Sequence, residues 1–121
     1  MALAKTSLST IQSVVGIATT TIYTNSTNTK SYIKAFVLHN VGITTGIQAY
    51  CLLHQVPNVS GSIGTAGTTN QFFSQYLNAG ETTFLEYPYP LTLTGTNDTI
   101  VLRVLTANQR INVQILGDKD P

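Results

Sequence analysis

The alternation of apolar and polar positions is clearest near the C-terminus. In TIVLRVLT (99–106), Ile100, Leu102 and Val104 fall on one side of an extended chain. In INVQIL (111–116), Ile111, Val113 and Ile115 do the same, with Asn112 and Gln114 opposite. A period of two marks a strand with one buried face. Only Ala107 to Arg110 separates the two runs, a length that predicts a β-hairpin. All six apolar side chains are expected to line one core face.

Further upstream, TTFLEY (82–87) and LTLT (91–94) read as strands separated by Pro88-Tyr89-Pro90. Two prolines so close together cannot sit in a central ladder, so a kink or an edge crossing is expected there. Gly95-Thr96-Asn97-Asp98 is a turn by composition, with Asp98 capping it through its own side chain. TTTIYT (19–24) precedes a polar loop, NSTNTKS (25–31). YIKAFVLH (32–39) and IQAYCLLH (47–54) follow, too continuously apolar for clean alternation, as in strands covered on both faces. Gln71 to Leu77 fits either a strand or a helical turn, and the Gly-rich GSIGTAGTT (61–69) reads as an exposed, flexible connection. Seven or eight strands at close spacing predict an all-β fold, an antiparallel two-sheet β-sandwich of jelly-roll-like type. Residues 1–10 carry little apolar content and are expected to form an extended N-terminal arm. Residues 11–121 form the single sandwich domain.

Composition supports this reading and adds one unusual feature. The 121 residues fit one domain, and Thr, Val, Ile, Tyr and Phe favour pleated, half-buried surfaces. Only 9% of residues are charged, against about 25% in an average domain. Hydrophobic residues make up 42%, too many for a disordered chain. A surface with so few charges repels copies of itself weakly and loses little on desolvation, as suits assembly or adhesion. Net charge is +1, and the six basic residues (Lys5, Lys30, Lys34, Arg103, Arg110, Lys119) are scattered, which argues against nucleic acid as a partner. No apolar stretch is long enough to span a bilayer, and no membrane role is expected. The N-terminal MALAKTSLSTIQSVVGIATT has too broken an apolar run to read as a signal peptide.

Candidate chemistry is sparse. The single cysteine, Cys51, lies in an apolar run and is expected to be a buried, inert thiol. His39 and His54 each end a predicted strand and could be neighbours, but neither has a further ligand nearby in sequence for a metal. The carboxylates Glu81, Glu86, Asp98, Asp118 and Asp120 show no facing pair of the kind glycoside hydrolysis needs. The 61–69 loop lacks the Lys-Ser/Thr of a phosphate loop. No catalytic, cofactor-binding or metal-binding residue is assigned, and the chain is not expected to be an enzyme. Tyr23, Tyr50, Tyr76, Tyr87 and Tyr89 could serve as stacking platforms for sugars, but ordinary strand filling is the preferred reading, and the absence of Trp counts against sugar binding.

Two stretches carry a family resemblance. TTTIYTNSTNTKSYIKAFVLHNVG resembles a pattern of small virion proteins of tailed bacteriophages, in which Tyr-Thr ends a strand, a polar loop follows, and an apolar strand closes on Asn. LNAGETTFLEYPYPLTLTGTNDTIVLRVLTANQRINVQILGDK resembles their Gly-Glu-Thr strand, their Gly-x-Asn/Asp-x-Ile turn and their closing strand. The likeness covers about 19–46 and 77–119, whereas Val56 to Gln75 fits it poorly. The resemblance implies a capsid decoration (cement) protein on the virion exterior. It would bind the major capsid protein or other virion proteins, as a homo-oligomer for which a trimer suits three-fold sites. A receptor- or glycan-binding adhesin or fibre module is the alternative. Under the first reading the arm 1–10 is held by a neighbouring subunit.

Overall fold

A computed structural model describes residues 4–43, 46–59 and 62–120, with side chains for 8–43, 46–58 and 64–120. Its strands are β1 (Ala4–Ser7), β2 (Gln12–Val15), β3 (Ala18–Thr24), β4 (Lys30–Asn40), β5 (Ala49–Val56) and β6 (Asn58–Val59). They continue with β7 (Ser62–Ile63), β8 (Gln71–Leu77), β9 (Thr82–Leu93), β10 (Thr99–Val104) and β11 (Arg110–Asp120). All pairings are antiparallel.

The first sheet runs β1-β11-β4-β9, with β2 also on β11. β1 lies opposite Leu116 to Lys119 and β2 opposite Arg110 to Val113, so the two form one interrupted edge strand. The second sheet runs β3-β10-β5-β8. Counted this way, eight strands make two sheets of four. The first position pairs with the last, the second with the seventh, the third with the sixth, and the fourth with the fifth. That nesting is a jelly roll. The expected all-β sandwich stands, and Gln71 to Leu77 is a strand.

The expected hairpin does not form. β10 bonds to β3 and β5, while β11 bonds to β1, β2 and β4 in the opposite sheet. Residues 105–109 cross between the sheets. At roughly 3.3 Å per extended residue, such a link spans the ~10 Å between packed sheets as readily as it turns a hairpin. The link is pinned where Leu105 N donates to Tyr50 O (3.0 Å) and Asn108 N to Gly16 O (3.0 Å). Alternation marked the buried face correctly: Ile100, Leu102, Val104, Ile111, Val113 and Ile115 are all core. They meet across the core instead of lying side by side, joined by Phe36, Leu38, Leu53 and Leu77.

The N-terminal segment also departs from expectation. Ala4 to Ser7 pairs with β11 of its own chain, Leu8 N donates to Ile115 O (2.8 Å), and the Leu8 side chain enters the core. Edge pairing uses backbone groups that every residue carries, so a weakly apolar sequence does not forbid it. The prolines behave as expected. β9 is an edge strand, and its register against β4 jumps from Leu91 to Glu86 across Ile33 and Ala35. Tyr87 to Pro90 are thereby left out of the ladder.

Two substitutions and one deletion check this architecture. Val104→Asp puts an unpaired carboxylate where exposure is 0% and should abolish cooperative folding by calorimetry. Leu102→Ala should cost about 2–5 kcal/mol in denaturant titration. Deleting residues 1–8 should lower stability by about 1.5–3 kcal/mol, the worth of one buried leucine. An unchanged midpoint would place that segment outside the sandwich.

Candidate functional site

The two outer faces of the sandwich differ sharply. On the second sheet, Leu52, His54 and Val56 of β5 and Thr99 and Val101 of β10 point outward by register, yet all are buried. A cover of residues 64–70 lies over His54, Val56, Thr99 and Val101. Asn70 is its fastening: its Oδ1 accepts from Gly67 N (2.9 Å) and its Nδ2 donates to Thr65 O (2.9 Å). Gln55 N donates to Asn70 O (2.9 Å). At the other foot, Asp98 Oδ1 accepts from Asn58 N (2.9 Å) while Oδ2 accepts from Gly95 N (2.8 Å), which is the turn cap expected of it. The stretch expected to be a loose connection is, over 64–70, a hydrogen-bonded cover; Gly61 lies outside the described residues.

His54 sits beneath this cover. Its Nδ1 meets Gly67 O at 3.0 Å and Asn70 Oδ1 at 2.9 Å. Both are acceptors, so Nδ1 carries the hydrogen in the neutral ring and Nε2 is left as an acceptor. Nε2 is buried with no partner among the described residues. His39 lies in the first sheet, its Nδ1 2.7 Å from Thr82 Oγ1. The two histidines, expected as possible neighbours, occupy different sheets.

The other candidates also stay apart. Glu81 Oε1 accepts from Asn78 N (2.8 Å) within the turn before β9. Asp118, nearly buried, pairs with Lys34 Nζ at 2.7 Å. Among the described residues no three His, Cys, Asp or Glu side chains converge on a metal position. Burial pushes the Cys51 thiol up to about 12, which keeps it protonated. The tyrosines divide by role. Tyr23 is buried with its hydroxyl 2.6 Å from Ser31 Oγ, and Tyr87 packs edge-on against Phe36. Tyr50 and Tyr76 stack on each other with centroids 4.4 Å apart. Tyr89, at the proline bulge, is 89% exposed.

One end of the sandwich gathers exposed aliphatic side chains that the sequence reading did not single out. Val15 at the end of β2 and Ile17 in the connection to β3 (70% exposed) stand out, and the connection between β4 and β5 shows Val41, Ile43 and Ile47. The loops carrying them are braced. Gly16 N donates to Gln109 O (2.9 Å) and Val41 N to Arg110 O (3.0 Å). Buried Asn40 uses all its polar groups here: Nδ2 donates to Leu77 O (3.0 Å), Oδ1 accepts from Gly42 N (3.0 Å), and its backbone bonds Glu81 O and Gly80 N. A Cβ at Gly16 would overlap the Thr106 carbonyl oxygen, so only glycine fits that approach. A signal for this tip exists in the sequence: Val15-Gly16-Ile17, Val41-Gly42-Ile43 and Gly46-Ile47 all set branched aliphatics beside glycine in turns, where polar residues are the norm.

Asn70→Ala should free the cover at a cost of about 1–3 kcal/mol and open it to protease cleavage near 61–69; equal resistance in the variant would show that the cover is held elsewhere. Cys51 should resist a thiol reagent at pH 8 in the native protein and react fully once unfolded. With its thiol raised from 9.0 to about 12, the fold binds more protons than the unfolded chain between those values, so stability should fall as pH rises across that window. Replacing Cys51 with Ala should remove that part of the slope.

No protein-family model, characterised protein or solved structure matches the chain.

Proposed function

We propose that the protein is a structural virion component of the decoration or cement type, acting on the particle exterior as a homo-oligomer. The apolar tip carries this reading. Five branched aliphatics (Val15, Ile17, Val41, Ile43 and Ile47) stand exposed at one end, beside backbone held at Gly16, Val41 and Gly42. A group of this kind on a sparsely charged domain marks a protein-interaction surface. The fold adds an analogy, since jelly rolls recur in viral capsid domains while also hosting other functions. The resemblance over 19–46 and 77–119 points the same way.

The mechanism is mass action. A protein that binds only the assembled shell stabilises it by RT ln(1 + [L]/Kd) per site. The hydrogen bonds at Gly16, Val41 and Gly42 limit the entropy lost when the tip is buried, and the 9% charge leaves few ions to desolvate.

The test is co-sedimentation with assembled shells of tailed-bacteriophage major capsid proteins. Ile17→Asp and Ile43→Asp are at the surface and should leave the melting point nearly unchanged. Each should weaken binding about 100-fold, because a charge would be buried without a partner. Unchanged affinity in both variants would move docking away from the tip. Failure of the wild-type protein to bind shells would overturn the decoration reading. Sedimentation equilibrium checks the trimer directly, and a monomer at all concentrations would remove it.

A further inference from the structure

Among the described residues no segment covers the outer face of the first sheet, and its side chains form a grid set by register. Ser13 of β2, Asn112 of β11, His39 of β4 and Thr82 of β9 are successive cross-strand partners, so one polar row spans the whole sheet. Ser13 Oγ donates to Asn112 Oδ1, and His39 Nδ1 meets Thr82 Oγ1. These bonds orient the side chains, and among the described residues the Asn112 amide N–H groups and His39 Nε2 have no other partner. In the adjacent row, Val37 lies opposite Phe84, which is 56% exposed. Between the rows lies a depression of about 260 Å³, with Asn112 and Gln114 from β11 and walls from Ile11, Val37, His39 and Thr82.

We infer that this depression is a binding site for a neutral, hydroxyl-rich ligand, a carbohydrate. The lining holds no charged side chain, so it offers nothing to phosphate, carboxylate or ammonium groups. An amide and an imidazole can each donate and accept, which matches hydroxyls that do both. Ile11, Val37 and the exposed Phe84 ring match the C–H faces of a pyranose, which pack on apolar and aromatic surfaces. Charged groups on this face begin only beyond the depression, with Arg110 on one side and Glu86 on the other. The next row on this face holds Arg110 and the tip's Val15, so the depression borders the apolar tip. This inference does not depend on what the tip binds.

The experiment is an NMR titration of the full chain with neutral hexasaccharides of β-1,4-glucose, β-1,4-N-acetylglucosamine and α-1,4-glucose, each to 10 mM, on the order of weak protein–sugar affinities. At least one should shift the amide signals of His39, Asn112 and Gln114. Asn112→Ala and Phe84→Ala should each weaken that ligand roughly tenfold at an unchanged melting temperature. Three outcomes would overturn the inference: no shifts with any of the sugars, shifts centred on Tyr50 and Tyr76, or unchanged affinity in both variants. Shifts of the same signals on raising protein concentration alone would assign the depression to contact between copies and overturn it as well.

Discussion

β10 and β11 are consecutive in the chain, yet each is central in its own sheet, and they stand back to back across the core. The remaining strands must then wrap around this pair. β10 takes β3 and β5 as neighbours, β11 takes the β1/β2 edge and β4, and β8 and β9 complete the outer positions. The apolar stripes of the two central strands supply much of the force holding the sheets together. Ile100, Leu102, Val104, Ile111 and Ile115 are wholly buried. At about 1.5–3 kcal/mol for each large side chain, this is the part of the core that the fold can least lose.

The same arrangement makes the two outer faces unequal. β5 is apolar on both sides: Ala49, Cys51 and Leu53 face the core, while Leu52 and Val56 face outward. An outward face of that kind needs a cover, and residues 64–70 provide one over His54 and Val56. The first sheet turns Ser13, Asn112, His39 and Thr82 outward, which water can solvate. It needs no cover and has none among the described residues. Cover and bare face therefore follow from the side chains of single strands, and they decide which surfaces other molecules can reach.

Both proposed surfaces adjoin hydrogen-bonded backbone. The tip sits on loops tied down by Asn40, Gly16 and the strand ends, and the polar row sits on four paired strands. Groups held in place this way lose little freedom on binding. The low charge serves both surfaces, since burying neutral amides, hydroxyls and aliphatics costs far less than burying ions.

Local pattern determined the fold class, most of the strands, and the inward side of β10 and β11, because period-two alternation reports burial at each residue in turn. Proline placement identified the edge strand β9, and Asp98 revealed its own turn. Pairing partners were not legible: Ile100 to Val104 and Ile111 to Ile115 have the same pattern whether they bond to each other or face across the core. Nor could local pattern show that Ala4 to Ser7 would join β11, since edge pairing depends on backbone groups common to all residues. The glycine-flanked aliphatics of the tip were visible as a motif, but not as one surface until the loops met at one end. Asn112, Gln114 and His39 were visible as polar positions and strand ends. Only the register of four strands placed Asn112 and His39 in line with Ser13 and Thr82, because hydrogen bonding between strands far apart in sequence decides which side chains become neighbours.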